Sequence, residues 1–272
     1  MPSVITRTLG FTAITLGIVA PLAKGHFVGN EEHLTINATS DFTSLHAGDA
    51  GLLAIDIVVE EGWHTYWPGV SDTGYGFSFN IEAPDSIELK DPIWPSPERY
   101  LQPGDILDHT YEETVTVLYP FVIKESTPES VIVFNIEADY LVCKEYCLPG
   151  KGTTSTTLQV VDTESEKAES SRHDELRKLF DSRPQPFNAK DLAVRFLWIS
   201  TAVAVMFRDA TRIEFYPDSE CTPMESVIED GAKAGNRLEI RFTESENKVL
   251  SGRLRVTTRE GVEHYDIHEK AP

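Results

Sequence analysis

"SVIVFNIEADYLVCKEYCLPGKGTTSTTLQVVD", residues 130–162, decides the fold. Its first third alternates apolar with polar residues, the period of a strand with one buried face. Its Thr-rich close, "GTTSTTLQVVD", is β-forming again. Between the two lie Cys143 and Cys147, four positions apart and just ahead of Pro149 and Gly150. Four extended residues span about 13 Å, whereas the Cα atoms of a disulfide lie roughly 4.4–6.8 Å apart. The thiols can therefore join only where the chain turns, and a turn at the end of the strand makes that feasible. A loop this short constrains the unfolded chain little, and strained, exposed disulfides are the reactive ones. From the residues alone, redox exchange, a static bridge, half of a metal site and two unrelated thiols all stay open.

Working outward, "HLTINATSDF", "GLLAIDIVVEEGW", "YGFSFNIEAP" and "ETVTVLYPFVI" read as further strands. Turn clusters rich in Pro, Gly and Asp separate them: "PGVSDTGYG", "PSPERYLQPGD" and "KESTPES". Strands at this spacing predict an all-β antiparallel sandwich of about seven strands, placed at residues 26–161. Residues 162–190 change character to a charged linker. There Leu176, Leu179 and Phe180 mark a short amphipathic helix, with Ser170 or Ser171 as N-cap and Pro184 beyond its end. From 191 to 272 about six short strands return, predicting a second, smaller β-sandwich with a possible helical turn in "PMESVIEDGAKAG". "FLWISTAVAVMF", 196–207, is too short to span a membrane and reads as a buried hairpin.

The first 25 residues carry Arg7, an uncharged apolar run from Leu9 to Ala23, and small residues around Ala23-Lys24-Gly25. That is the pattern of a secretory signal, cleaved near Gly25, and it leads to an exported chain with no membrane span after processing. With 24 basic and 44 acidic residues, a formal net charge of −20 repels phosphate backbones, so nucleic acid is excluded as a partner. Three cysteines are too few for a disulfide scaffold. Cys221 stands far from the pair and reads as a free, partly buried thiol, with intermolecular pairing as the other reading.

No metal site is expected, since two thiolates fill only half of a tetrahedral zinc shell and His64 and His109 would have to converge from elsewhere. His64 alone reads as a hydrogen-bonded core or turn residue. No nucleophile elbow or phosphate-cradling loop is present, and no cofactor is required, because a dithiol itself carries two electrons. Trp63, Tyr66, Trp67, Tyr75, Phe77, Trp94 and Tyr100 crowd "GWHTYWPGVSDTGYGF" and "IWPSPERYLQPGD". They serve either as sandwich core or as a lid that shields a reactive disulfide.

In order, "GWHTYWPG…DTG", "IWPSPERY", "VLYPFVI" and "DYLVCKEYCLPG" resemble the N-terminal periplasmic domain of DsbD-type thiol–disulfide interchange proteins, in the branch of the ScsB-like reductases, over about residues 45–160. The resemblance implies an immunoglobulin-like sandwich with the cysteine pair at one tip. It implies a periplasmic module that receives electrons through a thioredoxin-like domain and passes them to partner proteins. Along the motif, Cys147 would attack a partner disulfide and Cys143 would resolve the mixed disulfide. Glu98, Arg99 and Tyr100 would lie in a cap over the cysteines, with Tyr100 as the lid and Tyr66 and Trp67 as further cap or partner contacts. Thioredoxin-like or other periplasmic redox proteins are the expected partners, with a separately encoded membrane electron conductor completing the path. The reading from a different class is a secreted two-domain β adaptor whose Cys143–Cys147 bridge is only structural.

Overall fold

A computed structural model describes residues 33–163, 166–187, 194–244 and 246–272; the signal segment and its cut near Gly25 lie outside these. The chain is nearly all β. Its first part contains β1 (Leu34–Ser40), β2 (Phe42–His46), β3 (Ala50–Val59), β4 (His64–Tyr66), β5 (Ser78–Glu82) and β6 (Ile87–Leu89). It continues with β7 (Glu98–Gln102), β8 (Ile106–Tyr111), β9 (Thr114–Ile123), β10 (Val131–Cys143) and β11 (Cys147–Val161). Then come β12 (Ala168–Glu169), α1 (His173–Asp181) and β13 (Gln185–Pro186). The last part holds β14 (Val194–Ile199), β15 (Ala202–Phe207), β16 (Arg212–Pro217), α2 (Val227–Asp230) and β17 (Ala232–Ala234). It ends with β18 (Arg237–Arg241), β19 (Val249–Thr257) and β20 (Val262–Lys270).

Two sheets form the first β unit. One runs β1-β3-β9-β6, and the other runs β12-β2-β11-β10-β4-β8-β7 with β5 also on β10. Ile36, Ile57 and Val117 of the first sheet meet Tyr140 and Val142 of the second in one buried cluster, which makes the pair a sandwich. The second unit repeats this plan with sheets β13-β20-β19-β16-β17 and β14-β15-β18 around Val205, Phe215, Leu238 and Leu254. Residues 196–207 form its β14–β15 hairpin, Val194 facing Phe207. Among the described residues no helix is long and apolar enough to cross a membrane.

Several details depart from the sequence reading. The first unit has more strands than seven, because β2, β4, β6, β7 and β8 are only three to six residues long and too short to carry a readable period. Two pairings, β2 with β11 and β13 with β20, are parallel. The helix α1 begins after Arg172, not Ser170 or Ser171, and among the described residues no side chain caps it. Ser170 instead uses its hydroxyl to accept from the Arg172 amide at 3.2 Å. The helix rests on the first unit, with Leu176 packed against Leu52, Ala54 and Leu118 and Arg177 paired to the buried Asp41 at 2.6 Å.

Candidate functional site

The β10–β11 hairpin runs in register from Val131↔Gln159 to Cys143↔Cys147. Its turn is Lys144-Glu145-Tyr146, all exposed, and the Lys144 amide donates to the Tyr146 carbonyl at 3.2 Å. Pro149 and Gly150, which follow the pair in sequence, lie inside β11 opposite Leu141 and Tyr140. The two cysteines are joined, with Cα atoms 4.1 Å apart. They differ in setting: Cys143 is 2 % exposed, while Cys147 opens onto solvent. One sulfur can be approached from outside, and the other is walled in.

The wall is Tyr66. Its hydroxyl donates to Cys143 Sγ at 3.2 Å and lies 3.8 Å from Cys147 Sγ. Burial pushes its pKa up, with Thr73 as a smaller opposing influence, so the phenol keeps its proton and stays a donor. The ring is held by the loop that follows. Strands β4 and β5 pair with the same edge of β10, and residues 67–77 bulge out between them. In that loop Gly74 has φ +71°, and a Cβ there would stand 2.5 Å from Tyr66 Cζ. Only glycine permits both the left-handed backbone and the contact. The preceding Thr73 is fixed by the fully buried Asp108, whose carboxylate accepts from the Thr73 amide at 2.8 Å and hydroxyl at 2.6 Å. Gln102 adds a third donor at 2.7 Å. Asp108 thus positions the residue beside Gly74, and Gly74 backs the ring that touches both sulfurs.

Next to Tyr66 sit His64 and Tyr100. The His64 ring lies 5.5 Å from the Tyr66 ring and 4.8 Å from the Tyr100 ring. Tyr100 is 36 % exposed and Tyr146 is 60 % exposed, so the tip presents aromatic surface around Cys147. Trp63 underlies Tyr146 edge-on at 5.7 Å.

The remaining predicted cap residues point elsewhere. Glu98 forms a two-pronged ion pair with Arg255 of β19, at 2.6 and 3.0 Å. Arg99 donates to the carbonyls of Val227 and Ile228 at 2.9 and 3.1 Å. Gly231 leaves room for that guanidinium, since a Cβ there would come within 2.5 Å of it. Trp67 is buried against His109 and Tyr216. These side chains belong to a seam between the two β units, where Tyr216 joins the first unit's core cluster and the Val70 amide donates to the Pro217 carbonyl at 2.9 Å. Burial drives the His109 pKa down to about 4. His64 and His109 occupy these two different places. Among the described residues no group of three or more His, Cys, Asp or Glu is arranged to hold a metal ion.

Cys221 is a free, partly buried thiol packed against the second unit's core, and burial pushes its pKa up to about 11. Asp108, Thr73 and Arg255 were not singled out from sequence. Asp108 lies inside a short strand, Ile106–Tyr111, whose two faces are both covered in the fold, a setting that local sequence pattern does not announce.

Comparison with known proteins follows the same outline. Residues 32–159 match the family model described as thiol:disulfide interchange protein DsbD, N-terminal. The crystal structure of the N-terminal periplasmic domain of ScsB from Proteus mirabilis superposes with a TM-score of 0.58 at 15% identity. It covers 90% of this chain and 97% of its own, and so shares the fold through both β units. The major pilin subunit BcpA of Bacillus cereus aligns at a TM-score of 0.32 and 9% identity, over 79% of this chain and 68% of its own, too loosely to bear on fold or function. No curated protein matches the sequence.

Proposed function

We propose, from the premise that residues 32–159 are a domain of the DsbD N-terminal family, that the chain is a periplasmic thiol–disulfide exchange module working through Cys143 and Cys147. The observation that carries this reading is the asymmetry of the pair: one exposed sulfur on a hairpin tip and one buried sulfur under a tyrosine hydroxyl. A structural bridge needs no such difference.

In the reduced module the Cys147 thiolate attacks a partner disulfide. An S–S bond forms between Cys147 and the partner, and the partner's own disulfide breaks with release of one thiolate. Cys143 then attacks Cys147 Sγ, the Cys147–partner bond breaks, and the second partner thiolate leaves. The partner gains two electrons, and the module ends with the Cys143–Cys147 disulfide seen in the structure. A dithiol donor, a thioredoxin-like protein or a membrane electron conductor, reverses the last state to recharge it. The Tyr66 hydroxyl favours the cycle by donating to sulfur as it becomes anionic. Tyr100 and Tyr66 act as the cap, and the exposed tip aromatics meet the partner.

The test is capture. Cys143→Ser retains the attacking sulfur and should accumulate mixed disulfides with periplasmic proteins, whereas Cys147→Ser should trap none. If neither variant captures a partner, the exchange reading fails. A reduction potential below about −300 mV, the range of structural bridges, would favour the static-bridge adaptor instead. Tyr66→Phe should slow exchange while leaving the disulfide able to form.

A further inference from the structure

His64 and Cys143 are Cα partners across β4 and β10. Directly opposed residues of an antiparallel pair project from the same face, and Tyr66, two positions along β4, shares that face. The Tyr66 contact with Cys143 Sγ at 3.2 Å confirms which face it is. The imidazole of His64 therefore stands on the side of the sheet where the buried sulfur lies. It is 5 % exposed, and its Nε2 has no hydrogen-bond partner among the described residues. A buried imidazole nitrogen left in this state can take up a proton.

Around it stand Tyr66 on its own strand, Tyr100 from β7, Cys143 from β10, and the charges of Asp108 on β8 and Glu112 just beyond it. Burial holds the imidazole pKa below its ordinary value, with the two carboxylates opposing. Near about pH 7 the ring is then neutral, the form that accepts a proton. Cys143 is the sulfur that needs such help, because an enclosed thiol resists becoming a thiolate. The exposed cation beside it in sequence, Lys144, is offset by Glu145.

We propose that His64 takes the proton of the Cys143 thiol as Cys143 resolves the mixed disulfide on Cys147. This rests on the exchange reading. The Cys143 S–H bond breaks, and its proton goes to His64 Nε2. The Cys143–Cys147 bond forms as the Cys147–partner bond breaks, and the departing partner thiolate carries off the electron pair. The imidazolium then returns its proton to that thiolate or to water.

Reduced protein carrying Cys221→Ser, which leaves only the two thiols of the pair, mixed with the aromatic disulfide dithiobis(nitrobenzoate) reads both steps. Attack by Cys147 releases a first coloured thiolate, and resolution by Cys143 releases a second. In His64→Gln the first phase should be unchanged. The second should slow by roughly 100-fold near neutral pH, the scale of a positioned proton acceptor, and the deficit should close as alkali ionises the thiol unaided. The His109→Gln control, in the seam, should match the parent in both phases. Equal slowing of both phases at every pH, or no slowing, overturns the proposal. Absence of both phases in the parent overturns the exchange reading and this inference with it. Should His64→Gln fail to fold, the imidazole resonances of the parent decide. The His64 titration midpoint must differ between disulfide and dithiol forms, and identical midpoints overturn the assignment.

Discussion

The disulfide tip and the seam between the β units are built from opposite materials. At the tip, a covalent bond, a tyrosine hydroxyl and a few rings surround one exposed sulfur. At the seam, Arg255 grips Glu98 and Glu214, Arg253 donates to the Trp94 carbonyl, and the Ser96 hydroxyl meets His264 at 2.6 Å. Tyr216 is buried in the first unit's core while belonging to the second. Strand β7 touches both regions, its Glu98 and Arg99 anchored in the seam and its Tyr100 beside His64 at the tip. The difference teaches that ion pairs and buried rings hold one end of β7, while the tip beside the disulfide is held by a few ring contacts and one hydroxyl.

The contrast can be broken most directly at Tyr216. If the seam is true core, Tyr216→Ala should cost about 3–5 kcal/mol in urea unfolding, as for other large-to-small core changes. A loss under about 1 kcal/mol would reduce the seam to a surface contact.

Acid should separate the two regions next. His109, with its pKa lowered to about 4 by burial, is neutral in the fold and protonates more readily in the unfolded chain. Its contribution is complete above the ordinary value near 6.5 and is lost as pH falls from there toward 4. That amounts to about 3 kcal/mol at 1.36 kcal/mol per pH unit. Thermal melts across that window should show the slope, and His109→Gln should flatten most of it. His64 and His264, whose pKa values are also held down chiefly by burial, should supply the remainder. An unchanged slope in His109→Gln would remove the seam from the account.

Reducing the disulfide should matter less. Closing so short a loop is worth at most about 2 kcal/mol in the chain-entropy model, so the dithiol form should melt only slightly earlier, with the seam intact. Smallest of all is Glu98→Gln. Its carboxylate is 74% exposed in a pair with Arg255, and loss of such a pair should cost no more than about 1 kcal/mol. A larger effect, paired with altered Tyr100 mobility, would show that the ion pair steers the cap.

Much of this was legible in the sequence. The alternation of Val131–Cys143 announced the central strand, and the order of motifs around it announced the family that residues 32–159 match. Strand β7 was not legible: its burial pattern lacks clean alternation, Leu101 faces solvent, and prolines flank it, so it read as a turn cluster. It is a strand because β8 offers it an edge. Glu98 and Arg99 read as cap residues, whereas their side chains pair in the seam with residues more than a hundred positions away, which leave no local mark. His64 read as a hydrogen-bonded core or turn residue. It is buried, yet its Nε2 has no hydrogen-bond partner among the described residues, and its place opposite Cys143 is set by a cross-strand pairing no periodicity reveals.

The turn between the sulfurs has a consequence for how such a protein can diverge. Lys144, Glu145 and Tyr146 are exposed, and behind them the hairpin is held residue by residue to its far end. Substitutions at Lys144 and Glu145 change the charge and shape offered beside Cys147 without disturbing the packed core, whereas Tyr146 also rests edge-on against the buried Trp63. Under the proposed exchange function, change at these positions retunes potential and partner choice, while the demands of folding fall on the residues underneath.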